Sequence, residues 1–225
     1  MPDTRFSWRS LREHLRKYIW LYLLGIALGL MGAELLWTMT RPQIPNQARV
    51  NIYLAADYSN AEPLEALAPD ILARVQADDE SIRQVAFESM LYNDQAYTST
   101  MLLVTRLSVG ECDAFLASEK AMEGLVSSGA LIALDDALAA GWMDAYNLEP
   151  YAVTTEDEES GESTTWTAGL RLDSVSALAK MGAFDNRGAF LCVTGTGGNE
   201  QAAMKALEYL IGDLTEASDA GTEGA

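Results

Sequence analysis

One uninterrupted apolar run near the start constrains this chain more than any other feature. Residues 18–39 read YIWLYLLGIALGLMGAELLWTM, with Glu34 as the only formal charge. As a helix the run spans about 33 Å at about 1.5 Å per residue. That length crosses a hydrocarbon core of about 30 Å. Five basic residues (Arg5, Arg9, Arg12, Arg16 and Lys17) precede it. The positive-inside bias places such a flank in the cytoplasm and the chain beyond the helix outside. The expected plan is a basic cytoplasmic tail over 1–17, a transmembrane helix over 18–39 and a linker over 40–49. An extracytoplasmic domain over 50–212 and a disordered acidic tail over 213–225 complete it. A cleaved signal peptide is the competing reading. The run is longer than the usual apolar region of about 7–15 residues, and no clean small-residue cleavage site comes after it. Glu34 falls about 24 Å along the helix, close to the outer headgroups. Tyr18, Trp20, Tyr22 and Trp37 suit the aromatic belts at the two interfaces.

Charge divides the chain in the same place. Beyond Glu34 there are 10 Lys and Arg against 30 Asp and Glu, a net charge of −20. Such a surface repels nucleic acid and anionic headgroups, so nucleic acid is excluded as a partner. The sole histidine, His14, lies in the basic tail. A Ser-His-Asp triad, a Cys-His pair and a histidine metal site are therefore excluded from the outer domain. No HExxH or Walker A pattern occurs, and no cofactor or metal is expected.

Beyond the Pro-containing linker, apolar strand-like runs alternate with helical patterns. Strands are predicted at 50–55, 82–90, 113–117, 166–172 and 190–194. Helices are predicted at 63–76, interrupted by Pro69, and at 93–108, with Tyr97, Met101, Val104 and Leu107 on the inner stripe. Two more are predicted at 119–128, stopped by Gly129, and at 200–211, capped by Asn199 and ended by Gly212. The alternation predicts an α/β fold: a single three-layer domain with a mainly parallel sheet. The sequence 194–199, TGTGGN, precedes a helix and reads as a strand-to-helix turn, with an anion site as the alternative. The acidic cluster of Glu156, Asp157, Glu158, Glu159 and Glu162 lacks an EF-hand pattern and reads as a solvated loop. Asp135 and Asp136 read as a helix start.

The segment VGECDAFLASEKAMEGLVSSGALIALDDAL, residues 109–138, resembles the first lobe of the type II extracytoplasmic solute-binding proteins of ABC transporters. Its Gly110-Glu111-Cys112-Asp113 turn, short strand, helix and Gly129–Asp136 exit come in that order. The segment FLCVTGTGGNEQAAMKALEYLIG, residues 190–212, resembles the return strand and closing helix of the same family, which implies one antiparallel return strand at 190–194 beside 113–117. About 16 residues lie between the crossover and return strands, where a full binding protein inserts its second lobe. The resemblance therefore implies lobe one alone. It places a half-site at the strand ends, on Asp57, Tyr58, Ser118, Glu119, Arg171 and Asp173. The general rule for open α/β sheets selects the same edge. It also implies that Cys112 and Cys192 lie on neighbouring strands, where a bridge needs Cα atoms within about 7 Å. Two buried thiols are the default. The expected function is a non-catalytic, membrane-anchored recognition domain that binds a protein partner, a second copy or a solute. A cell-envelope hydrolase or transferase working through carboxylates is the alternative.

Overall fold

The computed structural model describes residues 8–40, 44–93, 97–156 and 163–220. The chain forms two compact units, Met1–Gln43 and Ile44–Ala225.

The described residues of the first unit form one helix, α1 (Trp8–Thr40). Its most apolar stretch is Arg16–Thr38, 23 residues with mean hydropathy 1.9 and no buried side chains. By length and composition this helix can cross a membrane, at about 35 Å for 23 residues. It starts well before Tyr18, so part of the basic tail is helical. Leu, Ile and Met residues face outward along its length. The Thr38 hydroxyl donates to the Glu34 carbonyl at 2.8 Å, so this polar group is satisfied within the helix.

In the second unit the elements run in the order β1 (Arg49–Ala56), α2 (Glu62–Glu65), α3 (Ala68–Asp78), β2 (Gln84–Leu91) and α4 (Tyr97–Val109). Next come β3 (Ala114–Ser118), α5 (Glu119–Ser128), α6 (Asp135–Ala139), β4 (Pro150–Glu156) and β5 (Ser163–Arg171). α7 (Ala177–Lys180), β6 (Ala189–Val193) and α8 (Glu200–Ala220) complete the unit. The strands form one six-stranded sheet in the order β2-β1-β3-β6-β5-β4. β1 runs parallel to β2 and β3. β6 returns antiparallel to β3, with Ala114 opposite Val193 and Ser118 opposite Ala189. β5 is antiparallel to β6, and β4 to β5. Four strands therefore share one direction, and β6 and β4 oppose them.

The second reversed strand corrects the expectation of one. β4 was unreadable for a physical reason. It opens on Pro150, which only the first position or the edge of a sheet tolerates, and only Tyr151 and Val153 on one face are half-buried. The acidic residues 157–162 lie outside the described residues.

Side-chain alternation along β1 sends Val50, Ile52 and Leu54 to one face. There they pack with Ile71 and Val75 of α3 and Ala203, Leu207 and Leu210 of α8. Tyr53 and Ala55 face the other way, with Phe115, Leu103 and Leu107 of α4, and Met122 and Leu125 of α5. Pro69 splits the first helical stretch into α2 and α3, as its missing N–H and fixed φ require. α5 has the expected ends. The Ser118 hydroxyl accepts from the Ala121 N–H at 3.5 Å, and Gly129 closes the helix at φ 65°.

Two helices depart from the sequence reading. α8 does not stop at Gly212 but runs to Ala220, through the first part of the expected disordered tail. Gly212 is a contact rather than a cap, since a Cβ there would lie 2.8 Å from the Tyr146 hydroxyl. Beyond it Leu214 is buried and Asp213 pairs with Arg74 of α3. Asn199 stands at the start of α8, where its carbonyl accepts from the Ala203 N–H at 2.8 Å, and its side-chain amide donates to the carbonyls of Asn46 and Arg49, each at 2.8 Å. In α4 the inward residues are Leu103 and Leu107. Tyr97, Met101 and Val104, expected on the inner stripe, are exposed.

Candidate functional site

β1, β3 and β5 point the same way, so their C-terminal ends share one edge of the sheet with the N-terminus of β6. Asp57 and Tyr58 form the exposed bend after β1. The Asn60 N–H donates to the Ala183 carbonyl at 2.7 Å, which ties that bend to the segment after α7. Tyr58 then borders a depression of 360 Å³ whose other walls include Phe184, Asn186 and Arg187. Ser118 is engaged as the α5 cap, and Glu119 starts that helix exposed.

Arg171, at the end of β5, lies over the Phe190 ring at 5.2 Å. Its guanidinium approaches Asp173 at 3.5 Å and Glu149 at 3.9 Å. Asp173 also accepts from the Gly188 N–H at 2.7 Å. Arg171 and Asp173 are thus brought together, on the side of the edge that holds β5. Tyr58 stands with the 184–187 turn. Sequence reasoning missed that turn. Asn186 is buried and donates to the carbonyls of Leu172 (3.2 Å) and Asp173 (2.9 Å), which fixes the turn against β5. Arg187 is exposed and forks onto Asp185 at 2.8 and 3.1 Å, which lowers the Asp185 carboxyl to about 2. The Asp-Asn-Arg-Gly run at 185–188 was the available signal, since Asp, Asn and Gly each favour turns.

The opposite edge answers the question posed by the Gly-rich turn. The anion at the start of α8 is the chain's own Asp113. This buried carboxylate accepts from the Asn51 N–H at 2.8 Å. Burial lifts its carboxyl to about 6, against the Asn51 and Asn199 N–H donors and the positive charge of Arg49. A Cβ on Gly197 would lie 2.1 Å from Asp113 Oδ1, so only glycine lets the turn close over it. Thr194 reinforces the corner. Its hydroxyl donates to the Cys112 carbonyl, and its N–H to the Asp113 carbonyl at 2.9 Å. The raised carboxyl is therefore buried beneath its own turn.

Cys112 and Cys192 are free and fully buried. Burial pushes the Cys112 thiol up to about 12 and raises Cys192 as well, so both are inert at neutral pH. Asp135 starts α6 as expected, and its carboxylate also accepts from the Thr167 N–H (3.0 Å) and hydroxyl (2.8 Å) of β5. Those bonds hold its carboxyl below the usual range. Among the described residues no group of three His, Cys, Asp or Glu is placed to hold a metal ion. No protein-family model matches this chain, and neither does any curated protein.

Proposed function

We propose that this chain is a membrane-anchored recognition protein that works by contact rather than by chemistry. In this reading α1 holds it in the bilayer with the basic tail in the cytoplasm. The second unit is a three-layer α/β domain like lobe one of a solute-binding protein, and it lies outside. Its strand-end edge, with Asp57, Tyr58, Ser118, Glu119, Arg171 and Asp173, faces a protein partner.

One observation carries the reading. α7 and the 184–187 turn occupy the short connection from β5 to β6, so the edge stays an open depression with no facing lobe. Small-ligand sites usually bury about 70–90% of a ligand, which an open depression does not do. A protein partner brings its own cover.

Two experiments test this. Protease added to intact cells should digest everything beyond about residue 43, and a protected C-terminus overturns the orientation. For recognition, full-length protein in detergent is scanned by thermal shift against sugars, amino acids and short peptides. A ligand at 100 times its Kd would add about 2.7 kcal/mol, so a true solute receptor gives a clear shift and overturns the contact reading. The expected result is no shift. Partners recovered from solubilised membranes should then be lost by Tyr58→Ala with Arg187→Glu. Both side chains are exposed, so stability should change by less than about 0.5 kcal/mol each.

A further inference from the structure

A second depression, of 460 Å³, opens among α3, α6 and α8, and it shares no residue with the strand-end edge. Its volume lies within the range of about 300–1,000 Å³ that small-ligand sites occupy. Apolar groups from all three helices wall it: Val75 of α3, Ala137 of α6, Trp142 just beyond, and Ala202 and Met204 of α8. Trp142 is fixed in place, since its indole N–H donates to the Met204 carbonyl at 3.1 Å. The rim carries one prevailing sign of charge. Asp78, Asp79 and Glu208 stand there with a single cation, Lys205. The Lys205 ammonium lies 3.4 Å from Asp78, which also accepts from the Tyr209 hydroxyl at 3.3 Å, so that pair is already matched. Asp79 accepts from the Ser81 N–H (2.9 Å) and hydroxyl (2.6 Å), which hold its carboxyl below the usual range and ionised at neutral pH. Half-buried Glu208 forms no salt bridge among the described residues.

We infer that this depression binds a small organic cation, an ammonium group carried on an aromatic or alkyl body. Each part of such a molecule has its counterpart. The body displaces water from the apolar walls. Trp142 supplies the aromatic ring that attracts a cation best. Asp79 and Glu208 supply the countercharge that Lys205 leaves over. The wider field acts in the same sense. Residues 44–225 carry 9 Lys and Arg against 30 Asp and Glu, a net charge of −21, which draws cations toward the domain. The same rim rejects anions. It also disfavours free amino acids, whose carboxylate would meet Asp79 and Glu208 across a low-dielectric wall.

This site depends on neither the anchor nor the strand-end edge, so it stands or falls separately from the contact reading. Isothermal titration calorimetry on the full-length protein in a zwitterionic detergent reads it, with 2-phenylethylamine as the probe. The neutral 2-phenylethanol and the anionic 3-phenylpropionate are comparators of similar size. The amine alone should bind saturably. Glu208→Gln should weaken it about fivefold. Lys205→Met gives the opposite sign. It removes the competing ammonium and frees Asp78, so the amine should bind about threefold more tightly, a gain that a merely structural lysine would not produce. That ion pair is half-exposed on both sides, so its loss leaves the fold intact. Three results overturn the inference: no saturable binding of 2-phenylethylamine, equal binding of 2-phenylethanol, or an affinity that neither Glu208→Gln nor Lys205→Met moves.

Discussion

Gly197→Ala is expected to destabilise the second unit by about 3 kcal/mol, through overpacking at a corner that has no room to relax. In a domain of this size that is a drop of about 6–12 °C in melting temperature. The added methyl would sit 2.1 Å from Asp113 Oδ1 and 2.9 Å from the Cys112 carbonyl oxygen. The first of these belongs to a buried carboxylate and the second to the backbone leading into β3. Neither gives way cheaply. Moving the carboxylate takes it from the Asn51 N–H, and moving the carbonyl breaks the bond from Thr194. Gly195→Ala is the control, two residues away in the same turn. Its methyl would meet the Ile132 side chain at 3.1 Å, a contact that a flexible group can ease. That variant should lose less than about 1 kcal/mol. Thermal unfolding of both, monitored by circular dichroism, decides the matter. Equal losses would mean that the turn does not close on Asp113.

Where burial is one-sided or total, the sequence carried the fold. β1, β3 and β6 are short apolar runs and were legible as strands, while the antiparallel return of β6 beside β3 is what the family resemblance implied. Pro69 and Gly129 acted through local backbone chemistry and were legible for that reason. The failures arose where tertiary partners decide. α4 carries apolar residues on more than one face, and periodicity cannot choose between Leu103 with Leu107 and Tyr97 with Met101. The choice falls to Tyr53, Met90 and Phe115 beneath it. Gly212 resembles a stop, yet its lack of a side chain admits Tyr146. β4 has little apolar signal because it borrows its order from β5. At the candidate site, the strand ends were legible from topology. The 184–187 turn was not, because its role comes from Asn186 anchoring onto β5.

Asp113 also predicts an inverted pH dependence. Its carboxyl is held at about 6 in the folded chain against an ordinary value of 3.8. Between those values the folded state binds more protons than the unfolded state, so stability falls as pH rises. The stabilising contribution is fully present below about pH 4 and is lost above about pH 6. About two pKa units at about 1.4 kcal/mol each set an upper scale of about 3 kcal/mol. The depressed carboxylates work in the other direction and at lower pH. Asp79, Asp135 and Asp185 contribute stability above their ordinary value that is lost only as pH falls below it. They are therefore flat across the Asp113 window. Repulsion within a domain of net charge −21 also grows with pH, but every variant shares it. Asp113→Asn isolates the buried group, because the amide oxygen still accepts from Asn51 and nothing titrates. Melting temperatures of wild type and variant at pH 4, 5, 6 and 7 should diverge steadily. The variant should gain on wild type by up to about 3 kcal/mol at pH 7 relative to pH 4. Curves that stay parallel across that range would show that Asp113 is ionised throughout, with donors at the α8 turn strong enough to offset its burial.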